Sequence, residues 1–119
     1  MSQPALECRA AQKSNVIAEL MFGRNIGGRL GVTETKWRRF VDREITPRFP
    51  AGLTIYDARG QWQDSKRKTI VREASKIVMI VLPGEAADHD RLGEIMSAYK
   101  TRFRQDSVGL IVRPACVSF

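Results

Sequence analysis

Three sets of residues have types and spacings that could do chemistry. The first is the cationic, glycine-rich stretch from Gly23 to Gly31, which carries Arg24 and Arg29. Glycines admit positive φ and close backbone approach, so two guanidinium groups beside the free amides of a helix start could cradle a phosphate or carboxylate. An ordinary connecting loop is the competing explanation. The spacing Gly23-x-x-x-x-Gly28 does not make a nucleotide P-loop, because Arg29 and Leu30 stand where Lys and Ser or Thr are required. The second set is Asp57, Trp62, Arg72, Glu73 and Lys76, spread over two successive strands. Charged groups near an aromatic could position an acid-base pair or bind a carboxylate; cross-strand ion pairs on a solvated face explain them as well. The third is Cys8 with Cys116, far apart in sequence and forming no ligand cluster with the only histidine, His89. No metal site, cofactor motif or Ser/His/Asp nucleophile is therefore expected.

Those residues need elements to hold them. Residues 1–14 read as an N-terminal arm and 15–119 as one α+β domain. The run from Val16 to Phe22 has strand composition, with Val16, Ala18, Leu20 and Phe22 on one face and Ile17, Glu19 and Met21 on the other. After the glycine loop, Thr33 caps a helix whose apolar face is Trp37, Phe40, Val41 and Ile45, and Pro47 stops it. Leu53 to Gln63 forms the second strand, with Gly60 as a bulge or kink. Asp64 to Lys68 makes a hairpin loop, and Thr69 to Leu82 returns as a central strand that is apolar on both faces in its second half. Leu92, Ile95, Met96, Tyr99 and Phe103 mark an amphipathic second helix, and Val108 to Val117 a last edge strand.

The order β-α-β-β-α-β predicts the ferredoxin-like plan: a four-stranded antiparallel sheet, first and third strands central, both helices on one face. The other face stays open. It would carry Ile17, Met21, Tyr56 and Ile111 with Glu19 and Arg113, too apolar for comfortable exposure, which points to a homodimer through that face. In this strand order the end of the last strand lies near the start of the first. Cys8 can therefore reach Cys116, bridging in an oxidised protein and remaining a thiol in a reducing cytoplasm.

Composition is that of a packed domain, 43% hydrophobic and 28% charged over 119 residues. No apolar run approaches the roughly 20 residues of a membrane span. The net charge of +7 favours anionic partners. No basic-then-apolar signal precedes the domain, so the chain as written reads as cytoplasmic, or as a mature form whose export signal was removed.

The strings ELMFGRNIGGRLG, TKWRRF, ITPRFPAGLTIYDARGQWQD, IVREASKIV, AYKTRF and the C-terminal VSF together resemble a bacterial family catalogued as domain of unknown function 3574, from about Glu19 to Phe119. The resemblance implies small proteins, many exported or lipid-anchored through an N-terminal cysteine, and assigns no catalytic residue. The first functional expectation is binding of a small anion, with Arg24, Arg29, Asp57, Trp62, Arg72 and Lys76 as candidate contacts. The alternative is a small isomerase- or lyase-like enzyme working in a pocket at a dimeric sheet interface. Basic RNA binding ranks third: LMFGRNI looks like the first strand of an RNA-recognition module, but the third strand lacks the aromatics that stack bases.

Overall fold

The computed structural model describes residues 6–119; the first five residues of the arm lie outside the described residues. Strand β1 (Lys13–Gly23) begins two residues before the expected boundary, because β6 (Gly109–Val117) is long enough to pair Lys13 with Val117 and Ser14 with Cys116. The glycine-rich stretch is a miniature hairpin rather than an open loop. Its strands, β2 (Asn25–Ile26) and β3 (Arg29–Leu30), turn at Gly27 and Gly28, whose φ values of 60° and 84° suit the tight hairpin turn that glycine permits.

Helix α1 (Glu34–Phe40) starts where Thr33 Oγ1 accepts the Lys36 N–H at 3.2 Å. It runs into a π-helical turn, Val41–Ile45, closed by the Thr46 N–H donating to Val41 O at 2.9 Å. The wider turn sets Ile45 onto the core before Pro47 forbids further helix, and Phe49 is buried just beyond it. Strand β4 (Thr54–Gln63), strand β5 (Ile70–Val81) and helix α2 (Asp88–Phe103) follow.

The main sheet has four strands in the order β4-β5-β1-β6, every neighbour antiparallel, so the first and third long strands are central as the ferredoxin-like plan requires. The core lies between the sheet and the helices: Phe22, Trp37, Phe40, Tyr99 and Phe103 pack edge-on or tilted except for the stacked pair Trp37–Phe40, with Phe22 and Tyr99 centroids 4.7 Å apart. Such pairs add about 0.5–1.5 kcal/mol beyond area burial.

Two expectations about the strands change. Val16, in the first half of β1, is exposed, whereas Ile17, on the uncovered face, is buried. Gly60 makes no bulge, since pairing runs unbroken through Arg59 with Ala74, Gly60 with Glu73 and Gln61 with Arg72. The arm is tied down: Cys8 and Cys116 form a disulfide with their Cα atoms 5.5 Å apart. Among the described residues no helix is long and apolar enough to cross a membrane.

Candidate functional site

The pleat of β4 and β5 divides the candidate residues between the two faces of the sheet. Asp57 pairs with Lys76, and Phe22 pairs with Lys76 from the other side, so both charged residues share the helix-covered face with the core. There they meet Arg24 and Glu34. The Lys76 ammonium lies 2.7 Å from Glu34 and in contact with Asp57, while Arg24 Nη2 lies 3.3 Å from Glu34 and Arg24 Nε donates to Val32 O at 3.0 Å. Lys76 and Arg24 are buried, and the two carboxylates reach out to solvent. The hydrogen bond from Lys76, and then its charge, hold Asp57 below the usual carboxylate range. Burial pulls Lys76 down, but its bonds to Asp57 and Glu34 more than offset this and leave it above 10.5. Two cations and two anions saturate one another here. The cluster fixes the start of α1 to the sheet.

Of the remaining candidates, Arg29 is exposed on β3 and Arg72 is exposed towards the tip of the β4–β5 hairpin, so neither joins this cluster. Trp62 is on the opposite, uncovered face. Pairing of Trp62 with Val71 and Gly60 with Glu73 makes Trp62 and Glu73 diagonal neighbours on that face, within reach of an aromatic side chain.

That face is hollowed into a groove of about 730 Å³ over the ends of β1, β4, β5 and β6, a size suited to a small organic ligand. Met21 and Ile77 form an apolar wall, Trp62 stands at one end, and Gly27, Gly28 and the segment Arg104–Ser107 form the rim. Gln105 Nε2 donates to Asn25 O at 2.7 Å and to Phe103 O at 2.9 Å, tying that segment to the small hairpin.

Glu73 supplies the groove's central charge. Its Oε2 accepts the Asn25 N–H at 2.7 Å, and the carboxyl group lies directly on Gly23, where a Cβ would sit 2.7–2.8 Å from three of its atoms. Below, the Tyr99 hydroxyl donates to Gly23 O at 2.6 Å. Burial, reinforced by the charge of Glu73, pushes the Tyr99 phenol well above its ordinary value. Among the described residues no cation pairs with Glu73, in contrast to Asp57 and Glu34. Farther along the same face Glu19 bonds Arg113 and accepts the Tyr56 hydroxyl at 3.2 Å, a self-contained polar row.

Three strand glycines shape the hollow. Gly23 admits the Glu73 carboxyl, Gly109 admits the end of Met21, and Gly60 leaves the floor open, with nothing nearer than 3.8 Å to a would-be Cβ. Glycine inside a strand marks a bend or a close approach, and all three fall on one face at one end of the sheet. That coincidence was the signal available in the sequence for the groove.

The fold recurs among solved structures. A phage SAM lyase in complex with S-methyl-5'-thioadenosine superposes with a TM-score of 0.65 at 13% identity, covering 98% of this chain and 97% of that one. The apo state of phage SAM lyase gives a TM-score of 0.62 at 16% identity, with the same coverage of 98% and 97%. At these identities the likeness is one of fold. No curated protein matches the sequence. The family described as "Protein of unknown function (DUF3574)" matches residues 17–119, most of the domain with its groove, both central strands and both helices, and the chain belongs to that family.

Proposed function

We propose that the groove on the uncovered face is a small-molecule site for an adenosine thioether or sulfonium, and that the protein is a carbon–sulfur lyase of the kind that acts on SAM. The observation that carries this is the placement of Trp62 beside the Glu73 carboxylate, which pairs with no cation among the described residues, in a glycine-floored groove. A flat aromatic offers a face for a nucleobase or for a cation. The fold shared with phage SAM lyase supports the same choice of ligand.

In such a reaction the bond between sulfur and the amino-acid chain breaks, the electron pair stays on sulfur, and a neutral thioether leaves. The carbon fragment either closes on its own carboxylate or gives up a proton to water. Trp62 holds the base, Glu73 faces the positive sulfur, and Arg104, on the groove rim, takes the ligand's carboxylate. The anionic contact expected at Arg24 thus moves to the rim, since the Arg24 guanidinium already serves Val32 and Glu34.

A second copy laid on the uncovered face would close the groove, because Met21, Tyr56 and Ile111 beside it are exposed. The Cys8–Cys116 bridge fits a chain that works outside the reducing cytoplasm.

The test is direct. The protein is incubated with S-adenosylmethionine and release of 5'-methylthioadenosine is followed by chromatography, alongside calorimetric titration with each compound. Binding of both and product release that Trp62→Ala lowers at least tenfold are expected. Failure of either compound to bind at millimolar concentration would sink the proposal.

A further inference from the structure

We infer that Glu73 makes the groove select a positively charged ligand over its neutral counterpart, so that breaking the carbon–sulfur bond itself weakens the hold on the product. This rests on the ligand class proposed above and adds the rule by which the site discriminates within it.

The inference comes from what surrounds the carboxylate. One oxygen is committed, since Oε2 accepts the Asn25 N–H. A backbone amide orients a carboxylate without cancelling its charge. The other oxygen has no hydrogen-bond donor among the described residues. The cations that could have neutralised it are directed elsewhere: Arg24 and Lys76 belong to the cluster on the opposite face, and Arg113 is bound to Glu19. Arg104 lines the rim but makes no ion pair with Glu73.

The geometry is also fixed from beneath. Glu73 sits on the bare Cα of Gly23, whose carbonyl is held by the Tyr99 hydroxyl, and the Gly23 end of β1 pairs with Ser75. The carboxylate cannot sink into the sheet, and leaving the groove would forfeit the Asn25 bond.

A ligand filling the groove strips water from this oxygen. If the ligand carries a sulfonium or ammonium near Glu73, the lost hydration is replaced by a charge–charge attraction that the half-buried setting screens only partly. With a neutral thioether in the same pose the carboxylate loses water and gains nothing, which costs affinity. Sulfonium cleavage removes this charge at sulfur together with the amino-acid chain, so the contribution of the charge is isolated by a neutral thioether that keeps the chain. The exposed ring of Trp62 on the diagonal adds a cation–π contact that also vanishes with the charge.

The experiment uses ligands matched in everything but that charge. Calorimetric titration of the whole protein compares S-adenosylmethionine, its uncleavable amine analogue sinefungin, and neutral S-adenosylhomocysteine. In the wild type both cations are expected to bind about tenfold or more tightly than the thioether. Glu73→Gln keeps the shape and an acceptor for Asn25, and it should bring all three affinities to within about twofold of one another, chiefly by weakening the cations. Equal wild-type affinities for sinefungin and S-adenosylhomocysteine overturn the inference while leaving the ligand class intact. An unchanged ratio in Glu73→Gln overturns it as well. Binding by none of the three overturns the ligand class on which it stands. Should Glu73→Gln fail to fold, raising the salt concentration on the wild type replaces it: the preference for cations must shrink, and a salt-independent ratio refutes the role of charge.

Discussion

Lys76 and Glu73 stand three positions apart on β5, and the pleat sends them to opposite faces with opposite fates. Lys76 is buried against two carboxylates, one of which, Glu34, also holds Arg24, so every charge in that group is answered within the chain. Glu73 is answered by one backbone amide and otherwise looks into a groove. A saturated charge cluster has nothing left for a ligand and acts on stability. An oriented carboxylate with a free oxygen beside an exposed tryptophan keeps its interaction energy for something that arrives from solution. Both regions are polar in sequence, and only the way their charges close distinguishes structure from recognition.

The largest expected effect on stability lies outside both regions and therefore serves as the control. Cys8 and Cys116 are 108 residues apart in sequence, and closing a loop of that length contributes up to about 4.7 kcal/mol in the chain-entropy model. Reduction, or Cys8→Ser with Cys116→Ser, should lower the denaturant midpoint by the largest margin of any change described for this protein. It should leave nucleoside affinity within about twofold, because the bridge pins the arm to the far end of β6 from the groove. A parallel collapse of affinity would mean that the arm, not the strand ends, holds the groove.

The second effect separates the two faces. Lys76→Met keeps the buried stem and deletes the charge; Glu34 and Asp57 can rehydrate because both are largely exposed, so the loss should be about 2 kcal/mol rather than the 3–5 of a fully buried pair. Glu73→Gln should change stability by less than about 0.5 kcal/mol. The pH dependence gives the signature. Asp57 has its folded value depressed, so its contribution is present above its ordinary 3.8 and disappears as pH falls through the lower folded value. Lys76 has its folded value raised, so its share is present below 10.5 and is lost as pH rises through the higher folded value. The gap between wild type and Lys76→Met, measured by urea unfolding, should be full between those limits and close at both ends. A gap that stays constant down to pH 2 would mean that Lys76 acts through packing alone.

Much of this was legible from the sequence. Alternation in Val16 to Phe22, the doubly apolar second half of β5, and the stripe from Leu92 to Phe103 each carry a period, and the β-α-β-β-α-β order follows from them. Strand adjacency then brings Cys116 to Cys8. The divided site was harder to read. Asp57, Trp62, Arg72, Glu73 and Lys76 form one cluster in sequence, but an even–odd count along β5 already separates Glu73 from Arg72 and Lys76. Placing Trp62 with Glu73 also requires the register of the β4–β5 hairpin, and hence whether Gly60 is a bulge. Two-residue strands such as β2 and β3 have no period to detect, so the glycine stretch reads as an open loop, either a plain connection or an anion cradle. In the structure it is a paired hairpin with Arg24 turned inward. Its α1 neighbour is only a 7-residue helix.

A small effect on stability should carry the sharpest consequence for function. In Gly23→Ala the new methyl would sit 2.7–2.8 Å from the carboxyl atoms of Glu73, and no other group crowds it as closely. The obstacle is the end of a flexible side chain, so the strand has no reason to move. Glu73 swings away instead, surrendering the Asn25 N–H and its place in the groove. The cost should be about 1 kcal/mol, because one part-buried hydrogen bond is lost and the alanine gains a little in strand propensity. The Tyr99 bond to the Gly23 carbonyl survives, so the aromatic core should keep its near-ultraviolet signature. Nucleoside binding should nonetheless fall about tenfold, as far for the cations as in Glu73→Gln, because the carboxylate is displaced rather than neutralised. Serine at the same position should behave like alanine. The double change Gly23→Ala with Glu73→Gln should weaken binding little further than either alone, since both act on the same contact. Full additivity would show that Gly23 shapes the groove independently of Glu73, and the contrast between the two faces of β5 would then rest on backbone shape and not on charge.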